Sequence, residues 1–169
     1  MKHNYIRIPA LLLFAALLIP GCGSVITAAQ AKNGNTVQVN YTGKLTDGTV
    51  FDTSAGRAPL EFTLGTGDVV PGFEKAVLGM KVGEKKTVTI PANEAYGLYR
   101  GELVVEVSRD KLPSGLTPQV GLQLQQKGAN NSVIVATVIR VSETTVTLDA
   151  NHPFAGKDLT FEIELVKLQ

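Results

Sequence analysis

Cysteine, histidine and tryptophan are scarce in this 169-residue chain, and their scarcity excludes several kinds of chemistry. The only cysteine, Cys22, has no partner for an internal disulfide, and tryptophan is absent. One histidine, His152, remains beyond the first residues, and it lacks a cysteine or second histidine to complete a metal or nucleophile set. We therefore predict a structural role for His152, no metal site and no cofactor.

A dinucleotide-binding motif and an excess of one charge are also missing. Gly65 and Gly67 are followed by Gly72, which does not match the dinucleotide fingerprint, so we interpret these residues as turn glycines. The chain has 16 basic and 15 acidic side chains, and removing residues 1–21 takes away two bases and no acid. The remaining formal charge of −1 predicts neither nucleic acid nor acidic lipid as a partner.

No apolar run is long enough to span a bilayer. Residues 8–19 form an apolar run that follows Lys2 and Arg7, and its length is typical of a secretory signal, which we assign to residues 1–21. The sequence Leu-Ile-Pro-Gly before Cys22 resembles a bacterial lipobox, in which Pro20 is an atypical member. Lipidation of Cys22 would anchor the protein to a membrane of the bacterial cell envelope, facing the periplasm or the exterior.

Two alternatives to this anchor stay open. The sequence Ala29-Gln30-Ala31 is typical of a soluble signal-peptidase site, which would release the protein into the periplasm. Cys22 would then be an ordinary apolar residue of the signal. With the anchor, the small and polar residues that follow Cys22 predict a flexible tether, so that residues 22–35 precede a fold of roughly 135 residues.

Alternating apolar and polar residues predict an antiparallel sheet. Val37, Val39 and Tyr41 alternate with polar residues, and Asp47-Gly48 then supplies a tight hairpin turn. The same alternation recurs in three further segments, residues 60–64, 87–90 and 161–165. Each segment places one apolar face on a common core.

One short helix is predicted from Pro71 to Leu78. Proline is favoured in the first turn of a helix, apolar residues recur at helical spacing, and Gly79 follows as a helix end. The fold class is therefore α+β, with a curved antiparallel half-barrel wrapped on one short helix.

Residues 98–150 differ in composition and predict a small all-β unit. Their strand patterns cover residues 103–107, 133–141 and 144–148, and no tryptophan, phenylalanine or tyrosine occurs between Arg100 and Pro153. We expect a small aliphatic core and low independent stability for this unit.

Four motifs follow one another along the chain, and together they resemble an FKBP-type peptidyl-prolyl isomerase. They are Tyr41-Thr42-Gly43, Asp47-Gly48-Thr49-Val50-Phe51-Asp52, Val69-Val70-Pro71-Gly72-Phe73-Glu74 and Ala95-Tyr96-Gly97. The resemblance implies an isomerase domain made of residues 36–97 and 151–169. It also implies that residues 98–150 are inserted where the family has its flap, and the segment from Asn151 to Lys157 resembles the SlyD-like branch, whose flap domain captures unfolded chains.

Carried over residue by residue, the resemblance implies a pocket for a proline ring. The catalytic residues would be Asp52, Tyr96, Val70 through its backbone N–H, and Phe73 as the floor. The substrate-binding residues would be Tyr41, Phe51, Leu60, Phe62, Val69, Leu159 and Phe161. Phe73 stands where many members have tryptophan, and Leu60 where an aromatic residue is common, which weakens the expectation of macrolide binding. For any one phenylalanine, plain core packing is an alternative interpretation.

The predicted function is isomerisation of Xaa-Pro bonds in exported proteins, with the inserted unit binding unfolded chains. The partners would be proline-containing polypeptides and, through the lipid on Cys22, a membrane, and we expect a monomer. The alternative is a membrane-tethered holdase in which the inserted unit binds clients by β-augmentation and the isomerase pocket is vestigial. The members of the SlyD-like branch often end in a metal-binding tail, whereas this sequence ends in Lys167-Leu168-Gln169.

Overall fold

The computed structural model describes residues 29–127 and 132–169. The predicted signal peptide, Cys22 and the first part of the predicted tether lie outside the described residues. Among the described residues, no helix has the length and apolar character needed to cross a membrane.

Nine strands and one α-helix make up the described part of the chain, with three short 3₁₀ turns between them. The strands are β1 (Thr36–Leu45), β2 (Val50–Thr53), β3 (Leu60–Thr63), β4 (Lys85–Ile90), β5 (Val104–Ser108), β6 (Gln123–Lys127), β7 (Val133–Val141), β8 (Thr145–Asp149) and β9 (Leu159–Leu168). The helix α1 (Pro71–Val77) follows β3. The 3₁₀ turns are Ala92–Glu94, Gly101–Leu103 and Arg109–Lys111.

The first sheet is built around β1 and contains five antiparallel strands. One side of β1 pairs with β9, which in turn pairs with β4. The other side of β1 is shared, because residues 36–39 pair with β3 while residues 42–44 pair with β2. The chain that connects β2 to β3 therefore leaves the sheet beside Tyr41, next to the pocket described below.

The helix α1 covers the apolar face of this sheet, and its bounds confirm the predicted helix. Pro71 lies in the first turn, Leu78 caps the end, and Gly79 has a φ of 81°. Gly72 allows the close approach of helix and sheet, because a Cβ atom there would lie 2.2 Å from Cγ2 of Ile90 in β4. An antiparallel sheet packed on one helix confirms the predicted fold class at this level.

A single aliphatic and aromatic core fills the space between α1 and the sheet. Its fully buried members alternate along the strands, as in Val37 and Val39 of β1 and Ile163 and Leu165 of β9. The alternating pattern in the sequence therefore marked the buried face correctly.

The end of the predicted tether is part of the fold. Ala31 is only 3% exposed, its N–H donates to the Met80 carbonyl oxygen at 2.9 Å, and its carbonyl accepts from the Gly79 N–H at 2.8 Å. Gln30 forms an isolated antiparallel bridge with Lys81. The prediction that the chain stays free up to residue 35 is therefore wrong for its last part, because the small side chain of Ala31 fits the core beside the helix end.

A second antiparallel sheet lies between β4 and β9 in the sequence, with the strand order β5-β8-β7-β6. Its fully buried aliphatic side chains, within the described residues, are Val138 and Val146. Several of its apolar side chains are exposed instead, including Val133, Ile134 and Val135 in β7. This sheet has a much smaller core than the first one.

Candidate functional site

A pocket of about 410 Å³ opens on the first sheet where α1 begins. Its volume lies within the range of small-ligand sites, roughly 300–1,000 Å³. The residues that line it come from β1, β2, β3, α1, β9 and the loops before α1 and after β4. They are Tyr41, Phe51, Asp52, Leu60, Gly67, Asp68, Val69, Val70, Phe73, Tyr96 and Phe161.

Aromatic rings form the apolar base of this pocket. Phe73 from α1 meets the ring of Phe161 edge to face, with centroids 5.1 Å apart, and meets Tyr41 in the same way at 5.9 Å. The ring of Phe51 meets Phe161 edge to face at 5.7 Å. Edge-to-face packing is the favoured geometry of aromatic pairs, so the rings hold one another in fixed orientations.

Gly43 of β1 leaves the room that two of these rings occupy. A Cβ atom at this position would lie 2.7 Å from Cζ of Phe51 and 2.9 Å from Cε1 of Phe161. The glycine of the Tyr-Thr-Gly motif therefore serves the pocket wall rather than a turn.

A hydrogen-bonded cluster forms the polar rim of the pocket. The Tyr41 hydroxyl donates to the Asp52 carboxylate, and the Arg57 guanidinium forms an ion pair with the same carboxylate at 2.6 Å. The hydrogen bond from Tyr41, with help from Arg57, lowers the pKa of Asp52 below its ordinary value despite partial burial. Partial burial and the bond to Asp52 raise the pKa of Tyr41 to about 12. Asp52 is thus held ionised and Tyr41 neutral.

Ser54 supports this rim, although no pattern in the sequence indicated that it would. It is the one buried polar side chain among the described residues, at 6% exposure. Its hydroxyl accepts from the Tyr41 N–H at 2.9 Å, and its own N–H donates to the Tyr41 carbonyl at 3.0 Å. Ser54 therefore replaces a strand partner for Tyr41 at the point where β2 gives way to β3. A serine after a strand carries no pattern that would reveal such a role.

Some hydrogen-bond donors at the pocket have no partner within the described residues, and two of them are the Tyr96 hydroxyl and the Val70 N–H. The Tyr96 hydroxyl makes no hydrogen bond there, and the residue is 39% exposed. The Val70 N–H also makes none, although the Val70 carbonyl accepts from Phe73 and Glu74 at the start of α1. Unpaired donors beside an apolar pocket are available to bind the carbonyl groups of a peptide.

The structure brings nine of the eleven predicted site residues to one pocket. The exceptions are Phe62 and Leu159, which lie in the core at 4% and 0% exposure and do not line the pocket. Phe62 supports the floor instead, with its ring 5.9 Å from that of Phe73. Both alternate correctly on their strands, but periodicity does not distinguish a buried core position from one at the pocket surface.

Gly67 and Asp68 also line the pocket, and the sequence did not indicate them as site residues. Asp68 accepts a hydrogen bond from the Thr66 hydroxyl at 2.6 Å, which orders the loop before α1. Elsewhere in residues 29–127 and 132–169, no three His, Cys, Asp or Glu side chains are grouped as metal ligands. The pocket therefore offers an apolar enclosure, a rim with one carboxylate, and hydrogen-bond donors for the carbonyl groups of a peptide.

Comparison with known proteins assigns the chain to a family. A profile described as "FKBP-type peptidyl-prolyl cis-trans isomerase" matches residues 27–166 of the chain. The chain belongs to this family. FKBP-type proteins are isomerases of Xaa-Pro bonds, so the enzyme class of the chain is peptidyl-prolyl cis-trans isomerase.

Several curated relatives of this FKBP-type chain align over most of its length. A "Short-type peptidyl-prolyl cis-trans isomerase" of Methanocaldococcus jannaschii is 38% identical, over 82% of this chain and 94% of the relative. Proteins named "FKBP-type peptidyl-prolyl cis-trans isomerase SlyD" are 37% identical in Helicobacter pylori, over 69% of this chain and 63% of the relative. The protein of that name in Escherichia coli is 34% identical, over 79% of this chain and 67% of the relative.

Proposed function

We propose that the isomerase reaction takes place in the aromatic pocket, with the proline ring on Phe73 and the polar rim around the peptide. The observation that carries this proposal is the combination of an open apolar pocket with an ionised carboxylate and two unpaired donors. Phe51, Phe73 and Phe161 enclose the pyrrolidine ring, while Asp52 and Tyr96 lie where the chain of a substrate would leave the pocket.

The reaction needs no nucleophile, because only rotation about a C–N bond takes place. The barrier is about 18–20 kcal/mol, since the amide loses resonance as it twists. A planar amide is more dipolar than a twisted one, so transfer into an apolar pocket raises the ground state relative to the transition state. The aromatic rings at the bottom of the pocket supply this apolar environment, and no residue has to change its protonation state.

The polar groups act on the two carbonyls that flank the reacting bond. The Val70 N–H binds the carbonyl that follows the proline, and the Tyr96 hydroxyl stabilises the rotated carbonyl that precedes it. The Asp52 carboxylate orients that carbonyl by its charge. Lowering the barrier by roughly 5 kcal/mol accelerates the reaction several thousandfold, at 1.36 kcal/mol for each factor of ten. Uncatalysed isomerisation takes ~10–100 s, so this gain removes a slow folding step.

A refolding assay limited by proline isomerisation tests the proposal, with the chain from Ala29 onward as catalyst. We expect Asp52→Ala combined with Tyr96→Phe to reduce kcat/KM at least about tenfold, from the loss of polar contacts to the twisting amide. Tyr99→Phe is the matched control, because its hydroxyl bonds Asp149 at 3.2 Å and does not line the pocket. An unchanged rate in the double variant would refute the assigned roles.

We also propose that the second sheet binds unfolded client chains. Val133, Ile134 and Val135 are consecutive residues of β7 and are 59%, 48% and 41% exposed. Since neighbouring side chains in a strand point to opposite faces, both faces of the sheet are uncovered at this end. Exposed aliphatic surface of this kind is typical of a protein interaction site. The neighbouring edge strand β6 supports pairing with an extended peptide.

The remaining part of the proposal concerns location, with export to the bacterial envelope and anchoring through a lipid on Cys22. Ala31 supports this choice over cleavage after Ala29-Gln30-Ala31, because that cleavage would remove a buried residue and both of its backbone hydrogen bonds. Mass spectrometry of the mature protein tests it. A lipid-modified Cys22 at the N-terminus is expected, whereas a mature chain that begins at Lys32 would end the proposal.

The exposed end of β7 also favours a second candidate function, a holdase with a vestigial pocket. The two candidates differ in the assay above. A holdase would suppress aggregation without accelerating proline-limited refolding, and the pocket variants would behave like the unaltered protein. The open pocket and the unpaired hydroxyl of Tyr96 favour the isomerase.

A further inference from the structure

His152, for which the sequence predicted only a structural role, lies flat against Tyr96. The two ring centroids are 4.0 Å apart and the ring planes differ by 3°. Tyr96 lines the pocket, whereas His152 does not, and the imidazole covers one face of the phenol ring. Phe154 closes the cluster, with its centroid 5.7 Å from both rings.

The imidazole ring of His152 is itself held in place by its own turn. Its Nδ1 atom accepts a hydrogen bond from the Phe154 N–H at 3.2 Å, and the His152 carbonyl accepts from the Ala155 N–H at 2.8 Å. The ring of Phe154 lies in turn 4.5 Å from that of Phe51 in the pocket wall. The orientation of the imidazole is therefore set by the backbone and by the aromatic wall.

Hydrogen bonds also tie the His152 turn to the segment that carries Tyr96. The Asn151 side chain accepts from the Arg100 N–H and donates to the Arg100 carbonyl, both at 2.9 Å. The Gly156 N–H donates to the Gly97 carbonyl at 2.8 Å. These bonds join two segments that are separated in sequence by the entire second sheet, and they place His152 beside Tyr96.

We propose that His152 is a positioning residue for the isomerase reaction and acts through the Tyr96 hydroxyl. An exposed tyrosine on a loop otherwise samples several rotamers, and its hydroxyl would face the twisting carbonyl only part of the time. The stacked imidazole limits the phenol ring to one orientation before substrate arrives, so less entropy is lost when the hydrogen bond forms. The inference rests on the isomerase function and on the role of Tyr96 proposed above.

Measurements of kcat and KM on a proline tetrapeptide test the inference, with the chain from Ala29 onward. His152→Ala should lower kcat by about three- to tenfold, because part of one hydrogen bond to the transition state is lost, while KM stays within about twofold. His152→Phe keeps a flat ring and should retain most of the activity. His152→Asn keeps an acceptor for the Phe154 N–H, because its Oδ1 atom takes the position of Nδ1, but it has no ring and should be as impaired as alanine.

The Tyr96→Phe background separates positioning from a general structural effect. Without the hydroxyl, His152→Ala should cause less than about a twofold further loss, because the two substitutions remove the same interaction. Leu98→Ala is the control for lost apolar surface in this segment, since Leu98 is 66% exposed, and it should behave like the unaltered protein.

Three outcomes would overturn the inference. They are normal activity of His152→Ala, an equal loss from this substitution in the Tyr96→Phe background, and a phenylalanine variant as impaired as the asparagine variant. If His152→Ala does not fold by circular dichroism, the comparison of phenylalanine with asparagine decides the question. An unaltered protein without isomerase activity would instead refute the proposed function.

Discussion

Tyr41 joins the core to the polar rim, because its ring packs on Phe73 and its hydroxyl donates to Asp52. This bond requires a neutral phenol and an ionised carboxylate. The pKa of Tyr41 is raised to about 12, so the folded protein keeps the phenol proton above pH 10, where an unfolded tyrosine loses it. Its contribution to stability is complete below about pH 10 and is lost as the pH rises towards 12.

Tyr41→Phe should therefore remove part of the alkaline dependence of the unfolding free energy. The measurement is the urea midpoint as a function of pH, together with the absorbance of ionised tyrosine. In the unaltered protein one tyrosine should ionise near pH 12, and that transition should be missing from the variant. A tyrosinate titration that is identical in both proteins, apart from its amplitude, would contradict this assignment.

At acid pH, the dependence of the unfolding free energy on pH has the opposite sign. The pKa of Asp52 is lowered in the fold, so its contribution to stability is present above the ordinary carboxyl pKa, about 3.9, and is lost as the pH falls below it. Tyr41→Phe removes the main cause of this shift and should make the variant less sensitive to acid over that range.

Some residues of the pocket could be predicted from the sequence, and others could not. Asp52 and Tyr96 stood out because a core does not require polar groups at such positions. Ser54 and His152 did not stand out, because the role of each depends on a partner from another segment. Ser54 acts on Tyr41, and His152 packs on Tyr96. Only the folded chain brings these pairs together.

At the scale of single elements, the contact between α1 and β4 depends on Gly72. An alanine methyl would overlap Cγ2 of Ile90, so Gly72→Ala should destabilise the protein by roughly 1–3 kcal/mol, the usual cost of overpacking. The measurement is the urea midpoint with an unchanged slope. Gly101→Ala is the matched control, because a Cβ atom there meets nothing within 4 Å.

The same substitution should also change the geometry of the pocket, since Phe73 follows Gly72 directly. A shift of α1 away from the sheet would move the floor of the pocket and lower kcat/KM in the isomerase assay. Gly72→Ala with unaltered stability would show that the helix moves freely on the sheet, contrary to the close packing described above.

The segment before β1 is the second element with a testable role. A chain that begins at Lys32 lacks buried Ala31 and its bonds to Gly79 and Met80, so it should be roughly 1–2 kcal/mol less stable than a chain that begins at Ala29. Urea denaturation measures the difference. Gln30→Ala in the longer chain is the control, because the backbone contacts remain. Equal stability of the two chains would mean that this segment is only a tether.

Strands rich in apolar residues were predicted from the sequence, and a strand poor in them was missed. The bounds of β7 agree with the predicted segment of residues 133–141, because nearly all of its residues are aliphatic. The strand β6 escaped prediction, since Gln123 to Lys127 contains one apolar residue among five. Its strand conformation comes from pairing with β7, a tertiary effect that overrides weak local propensity.

For the whole molecule, the decisive feature is the pair of connections between the two sheets. The chain leaves the first sheet after β4 and returns before β9, and the two connections are bonded to each other at Gly97–Gly156 and at Arg100–Asn151. These bonds lie next to Tyr96 and His152. These bonds hold the Tyr96 side of the pocket in place without the strands of the second sheet. We therefore predict that the two sheets have separable roles.

Replacing residues 102–149 with a short turn tests this division. The bonded pairs stay in the shortened chain, so kcat/KM on a proline tetrapeptide should remain within about threefold of the unaltered value. Efficiency on an unfolded protein should fall at least about tenfold, because the exposed aliphatic residues of β7 are lost and 1.4 kcal/mol of binding energy already gives that factor.

A full-length variant with Ile134→Gln and Val135→Thr provides the matched test of the same surface. It keeps the second sheet but makes the exposed end of β7 polar, so it should reproduce the loss on unfolded protein and leave the tetrapeptide reaction unchanged. If both proteins retain full efficiency on both substrates, client binding does not take place on the second sheet. If the shortened chain instead loses activity on the tetrapeptide, the second sheet is needed to build the pocket, and the bonds at its base are not sufficient to hold Tyr96 in place.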